Sequence, residues 1–253
     1  LQARAGFQAL SQLTAADQPC MEQVLDEAVN FVAEVVAPLT RVGDEVGCSW
    51  HAGAVTTPPG FRDAYQAFVQ AGWPALACAE EDGGQGLPWV LEGVLYEWLN
   101  AANHGWTMTP GLLHGAYECL KHHGSDALKA AYLSKIASGE WLATMCLTEP
   151  QAGSDLGLVR TQAVPVDGTP DYQVSGTKIF ISGGEHDLTD NIIHLVLARL
   201  PGAPSGPKGL SLFLVPKVLP EGTRNAVVCE RIEEKMGLHG SPTCVMRFDA
   251  ATG

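Results

Sequence analysis

The chain has 253 residues, 46% of them hydrophobic and 17% charged, which suits a buried core and excludes a mainly disordered polymer. Fifteen basic residues against 28 acidic ones give a formal charge of -13, a field that repels nucleic acid and anionic membrane surfaces. An anionic ligand would need a local set of donors working against that field.

In chain order, Val24, Leu25, Ala28, Val29, Val32, Val35 and Val36 form one apolar stripe, which predicts a helix over 21–37 stopped by Pro38. Phe61, Tyr65 and Phe68 predict a second helix capped by Gly72, and Val90, Leu91, Val94, Leu95, Trp98 and Leu99 a third. Thr109 as N-cap and Pro110 at the first helical position open a fourth, carrying Leu113, Ala116, Tyr117 and Leu120. Ser125 opens a fifth, which Gly139 closes. After Trp141 the period changes. Short β-type runs follow over 142–147, 161–166, 172–174, 178–182, 192–197, 210–215 and 243–248, separated by turns such as Asp167-Gly168. Helices first and strands afterwards predict an α+β chain of two domains, a helical bundle over 1–141 and a β-barrel-like domain over 142–253.

Seven scattered cysteines, with no CxxC pair and no zinc-ribbon spacing, read as free thiols in a reducing cytoplasm. No uninterrupted apolar run approaches the roughly 20 residues of a membrane span. Residues 1–7 have no basic region leading into an apolar one, so no signal peptide is expected; the missing initiating Met suggests a trimmed end. There is no GxGxxG after a strand, no GxxxxGK[ST], no HExxH and no GxSxG. His122 and His123 read as a solvated helix end where a cation suits the dipole, and His186 and His194 as structural hydrogen-bonding groups. The loop from Asp82 to Pro88, rich in glycine, is a tight connector or a loop that approaches a ligand closely.

The most informative stretch runs from Met145 to Asp155. A β-type run ends there in a loop with two hydroxyls and backbone amides able to bond a planar, acceptor-rich ring or a phosphate, although an interdomain linker with an Asx turn at Asp155 fits the same residues. Some thirty residues on, Phe180, Ile181 and Ser182 end another strand before a glycine turn, enough to cover one face of a ring and bond its edge.

Taken together, Cys146-Leu147-Thr148-Glu149-Pro150, Ala152-Gly153-Ser154-Asp155 and the segment from Gly176 to Gly183 resemble the acyl-CoA dehydrogenase family. The segment from Glu234 to Thr243 resembles that family's Lys-x-Gly and Ser-x-Thr stretch, and the resemblance runs in order from the helix at Met21 to the end. Residues 181–188 and the glycine loop look like a bacterial branch of longer enzymes that includes broad-range and 3-methylmercaptopropionyl-CoA dehydrogenases. The resemblance implies that Met145, Cys146, Leu147 and Thr148 lie along the flavin ring of FAD, with the Thr148 hydroxyl and backbone amides at its pyrimidine edge. It implies that Ser154 lies where the FAD pyrophosphate and the acyl-CoA tail approach each other, touching cofactor and substrate alike. Phe180, Ile181 and Ser182 would pack on the flavin and bond near its N5, with Phe180 standing where the family more often has Trp. Leu158 departs from the pattern, since many members carry Gly there.

The implied chemistry is α,β-desaturation of an acyl-CoA thioester: a carboxylate takes the α-proton, a hydride leaves the β-carbon for the flavin, and an electron-transferring flavoprotein accepts the electrons. The family's catalytic Glu belongs to a C-terminal helical domain expected beyond Gly253, so no catalytic residue is assigned here, and Glu149 is assigned local hydrogen bonding. A homodimer or tetramer, a cytoplasmic location and no metal are expected. An acyl-CoA oxidase, distinguished by oxygen-dependent peroxide formation, and a non-catalytic flavin- or CoA-binding subunit are the rivals. A DNA-associated relative is disfavoured by the charge.

Overall fold

The computed structural model describes residues 18–253, so the expectation for residues 1–7 lies outside it. Helix α1 (Gln18–Phe31) passes through a π-helical turn (Val32–Val36) and a 3₁₀ turn (Ala37–Leu39) into α2 (Thr40–Val46). Pro38 therefore does not stop the helix. The wider π turn, whose end is bridged from the Ala37 N–H to the Val32 carbonyl, changes the pitch just before the residue that cannot donate. The buried stripe is Ala28, Val32 and Val36, while Val29 faces solvent at 48% exposure.

A short hairpin that the periodicity did not announce follows: β1 (Ser49–His51) and β2 (Ala54–Thr56), turned by Ala52 and Gly53, both at positive φ. In α3 (Phe61–Gln70), Phe61, Ala64, Tyr65 and Phe68 are buried at helical spacing, and Gly72 takes the left-handed conformation just past its end, as expected of a cap. The glycine loop behaves as a connector: the N–H groups of Gly84, Gln85, Gly86 and Leu87 all bond back to carbonyls of residues 75–79. Next come α4 (Trp89–Thr107), kinked at Asn103, and α5 (Leu113–His123). Pro110 begins a 3₁₀ turn ahead of α5, but Thr109 has helical backbone angles and its side chain caps nothing, which corrects the expected N-cap. Ser125 does cap α6 (Asp126–Leu128), its hydroxyl accepting the Leu128 N–H at 3.3 Å; a π turn (Lys129–Leu133) then leads into α7 (Ser134–Ala137).

From Leu142 onward the chain is a curled, mixed sheet. Its middle strand β6 (Ile192–Arg199) runs parallel to β3 (Leu142–Cys146), meets β4 (Gln162–Pro165) at one residue, and pairs antiparallel with β7 (Leu210–Pro216). β4 continues antiparallel into β5 (Tyr172–Ser182), β5 into β9 (Thr243–Thr252), and β9 into β8 (Val227–Ile232). The two predicted runs at 172–174 and 178–182 are one strand, joined by Gly176. A Cβ there would stand 2.3 Å from the Thr161 hydroxyl oxygen, so only glycine lets β5 pass so close.

Both faces of this sheet are covered. Ile193 and Leu195 of β6, with Leu142 and Leu214, join the helical core around Phe61, Phe68, Leu99 and Trp106. Val196, Phe213, Val215, Met246 and Phe248 fill the inside of the curl. A strand buried on both faces reads as the nearly continuous apolar run of β6, broken by His194, rather than an alternating one. Among the bonds that fasten the helical half to the sheet are Cys48 N–H to the His239 carbonyl at 2.8 Å, the Trp50 indole N–H to the Cys229 carbonyl at 3.0 Å, and the Thr57 hydroxyl to Asp187 at 2.7 Å.

Candidate functional site

The ends of β3 and β5 are stitched side by side. The Thr144 hydroxyl donates to the Ser182 carbonyl at 2.6 Å, the Ile179 N–H to the Thr148 carbonyl at 2.8 Å, and the Lys178 ammonium to the Leu147 carbonyl at 3.0 Å. The two stretches singled out in the sequence, 145–148 and 180–182, are thus brought together. Ser154 lies on the loop leaving the first of them, exposed, just beyond a tight turn closed by Glu149 and Ala152 and just before the Asx turn in which Asp155 accepts the Gly157 N–H at 2.9 Å.

Phe180 is the most telling residue of the group. The β5–β9 register shifts between Lys178 and Ile181, and within this bulge Phe180 has φ 59 and 59% exposure. A left-handed conformation costs an L-residue about 1–2 kcal/mol, and here it leaves an aromatic face open to solvent. Strain of this kind clusters at ligand sites, though Ala52, Leu238 and Ala250 also have positive φ; what sets Phe180 apart is a large aromatic side chain left in solvent. Met145 is 40% exposed, and Leu147, Thr148 and Ser182 are half-buried. No hydrogen bond within the described residues engages the hydroxyl of Thr148 or of Ser182, so both are free for a ligand. Cys146 and Ile181, in contrast, turn their side chains into the core, leaving only main chain to offer; burial pushes the Cys146 thiol well above its ordinary range.

Beneath this surface lies a charged pair that the sequence reading missed. Lys178 is fully buried and 2.9 Å from Glu149 Oε1. The Glu149 carboxylate accepts from the Thr161 N–H and hydroxyl, the Arg160 N–H, the Gln151 amide and Lys178. Burial alone would raise its pKa, but the bonds from Thr161, Arg160 and Lys178 hold it down at about 2. Burial pulls Lys178 below the usual ammonium range, against the opposing hold of Glu149. The signal was available: Val174, Gly176 and Lys178 share the inward phase of β5, and a lysine in that phase demands a carboxylate partner.

His186 and His194 carry structure. His194 lies between the Gly184 and Val215 carbonyls, and buried His186 accepts the Leu188 N–H while burial draws its pKa down to about 3. Among the described residues, no group of three or more His, Cys, Asp or Glu is arranged to hold a metal, and no helix is long and apolar enough to cross a membrane.

An exposed aromatic side chain and two unengaged hydroxyls on adjoining strand ends suit a flat, acceptor-rich ring. Residues 19–140 match the family profile described as acyl-CoA dehydrogenase, N-terminal domain, and residues 144–251 match that of the acyl-CoA dehydrogenase middle domain. The chain belongs to the acyl-CoA dehydrogenase family. It is 50% identical over 235 residues to a 3-methylmercaptopropionyl-CoA dehydrogenase of Ruegeria pomeroyi, covering 90% of this chain and 40% of that one. It is 40% identical over 204 residues to a broad-specificity linear acyl-CoA dehydrogenase of Mycobacterium tuberculosis, covering 77% and 33% respectively. The chain thus spans about 40% or less of the length of these relatives. An acyl-CoA dehydrogenase of Bacillus anthracis, solved in complex with FAD, superposes with a TM-score of 0.73 over 95% of this chain and 37% of its own; at 23% identity that likeness shows the shared fold. Acyl-CoA dehydrogenases of this family bind FAD, and the strand ends of this chain have the apolar face and free hydroxyls to fit it.

Proposed function

We propose that this chain supplies the flavin-facing strand ends of an FAD-dependent acyl-CoA dehydrogenase that desaturates acyl-CoA thioesters between the α and β carbons. The observation that carries the reading is Phe180, held outward at positive φ beside the unengaged hydroxyls of Thr148 and Ser182. When bound, FAD supplies the acceptor for the β-hydrogen and its electron pair. The residues of this chain bind and orient it: Phe180 and Met145 offer apolar cover, Thr148 and Ser182 donate to its edge, and exposed Ser154 faces the phosphate-bearing ends of cofactor and substrate. Glu149 is not the base that removes the α-proton, because its oxygens are buried and bonded to five donors. A general base must reach the proton it abstracts, so we assign that role to a carboxylate outside these residues. Electron delivery to an electron-transferring flavoprotein, assembly as a homodimer or tetramer and a cytoplasmic location complete the proposal.

The test uses the protein expressed at the full length of its reading frame. It should purify yellow with FAD and bleach stoichiometrically when titrated anaerobically with acyl-CoAs of several lengths, 3-methylmercaptopropionyl-CoA among them. Residues 1–253 alone should not bleach. Rapid re-oxidation by oxygen with peroxide release would point to an oxidase instead, and absence of FAD from the full-length protein would overturn the reading.

A further inference from the structure

We propose that the buried Lys178–Glu149 pair is a positioning clamp that fixes the spacing of the two flavin-facing strand ends; this rests on the flavin reading above. The pair is placed to do so. Lys178 precedes Ile179 and Phe180 on β5 and bonds across to the Leu147 carbonyl, while Glu149 follows Thr148 on the β3 side. Thr148 is therefore held on both flanks and through its own carbonyl by Ile179, while its hydroxyl is left free. Glu149 also gathers the Arg160 and Thr161 N–H groups at the entry to β4, at 2.8 and 3.0 Å. Gly176 admits the Thr161 side chain close enough to β5 for its hydroxyl to reach Glu149 at 2.5 Å. Three chain segments thus meet at one carboxylate and one ammonium, one bond away from the main chain that carries Thr148 and Phe180.

An ion pair as such adds little to the stability of a core; the geometry it fixes is what sets this one apart. Well-packed apolar residues of similar volume often serve a core as well as a buried ion pair does, or better, whereas a pair with directional bonds to main chain fixes geometry. An apolar pair would also leave the Leu147 carbonyl and the Arg160 and Thr161 N–H groups without partners, so the three segments would lose their common anchor. Neither residue touches the ring in this reading; both act through Thr148 and Phe180.

The test compares Lys178→Met, Glu149→Gln and the double variant in the full-length protein, reading urea stability of the FAD-free form, FAD affinity, and the visible circular dichroism and midpoint potential of bound FAD. Lys178→Met should lose stability because it strands a buried carboxylate, and the double variant should recover most of it. The double variant should nonetheless bind FAD about tenfold more weakly, the effect of one misplaced hydrogen bond, with altered dichroism and a shifted potential. Wild-type affinity, dichroism and potential in the double variant would overturn the clamp and leave a purely structural pair. Should these variants fail to fold, Thr161→Val removes one donor and keeps the ion pair: a severalfold weaker FAD affinity in a protein that still folds supports the clamp, and unchanged affinity overturns it. A wild-type protein that binds no FAD fails the flavin reading itself, a distinct result.

Discussion

Replacing Phe180 by glycine removes a strained backbone and an aromatic face together, whereas replacing it by alanine removes the face and keeps the strain. At 59% exposure, about two-fifths of an aromatic side chain that can bury 150–250 Å² is covered by protein, roughly 60–100 Å², which is worth about 1.5–2.5 kcal/mol to the FAD-free fold. Both variants lose that amount. Glycine then regains the roughly 1–2 kcal/mol that an L-residue spends at φ 59, less the 0.5–1 kcal/mol or so of its greater freedom in the unfolded chain. The FAD-free Phe180→Gly protein should therefore be at least as stable as Phe180→Ala, by up to about 1.5 kcal/mol more, against the usual order within a strand. Urea unfolding of both variants without FAD measures the difference, and ultrafiltration with FAD should show both retaining it poorly. An alanine variant more stable than the glycine one, the usual order within a strand, would refute the strain. A loss of about 3–5 kcal/mol in the alanine variant, typical of a core phenylalanine, would refute the open face.

Thr148→Val should leave the FAD-free protein's stability unchanged, since the hydroxyl engages nothing there, but weaken FAD binding by about 1–3 kcal/mol; equal retention on ultrafiltration would count against the assignment. His186, held down at about 3 against an ordinary 6.5, stays neutral in the fold while the unfolded chain takes up a proton. Its contribution to stability is complete above pH 6.5 and is lost as pH falls toward 3, by as much as about 1.4 kcal/mol per unit. An NMR titration of its ring should show no protonation down to pH 4.5, and a midpoint near 6.5 would refute the burial argument. Glu149 acts later on the same descent, its share being lost as pH falls from 4.5 toward 2. Gly84→Ala should cost more than about 3 kcal/mol in urea unfolding, because its Cβ would stand 2.0 Å from the Cys78 carbonyl oxygen. Gly83→Ala, in open space at φ 89, should cost only about 1 kcal/mol.

Helical period and turn residues were enough to place α3, α4 and α5, and the change of period at Trp141 announced the sheet. What stayed hidden was non-local. Pro38 signals a stop, yet a π turn upstream absorbs it, and nothing in the local sequence reports a change of pitch. Thr109-Pro110 has the letters of a capped start, but the preceding helix carries helical angles into Thr109 and leaves the side chain no N–H to cap. β8 escaped notice although Val227 and Cys229 alternate with exposed Val228 and Glu230, because six residues with two acidic or basic side chains hardly stand out from a loop. At the site, motif spelling pointed to residues 145–148 and 180–182 but could not say which side chains turn outward. The bulge decides that: it exposes Phe180 and buries Ile181, against simple alternation with buried Lys178.

The bonds joining hairpin β1–β2 to the sheet also set a timetable. The Trp50 indole waits for a carbonyl 179 residues downstream, and Thr57 for a carboxylate 130 residues downstream. At ribosomal speeds of roughly 5–20 residues per second, Trp50 emerges about 10–40 s before its partner. During that interval the helical half can form locally, but the apolar side that later meets Ile193, Leu195 and Leu214 stays uncovered. Chaperone contact and misassembly are therefore concentrated in these tens of seconds: β6 and β7 end the apolar exposure, and β8 then closes the Trp50 bond.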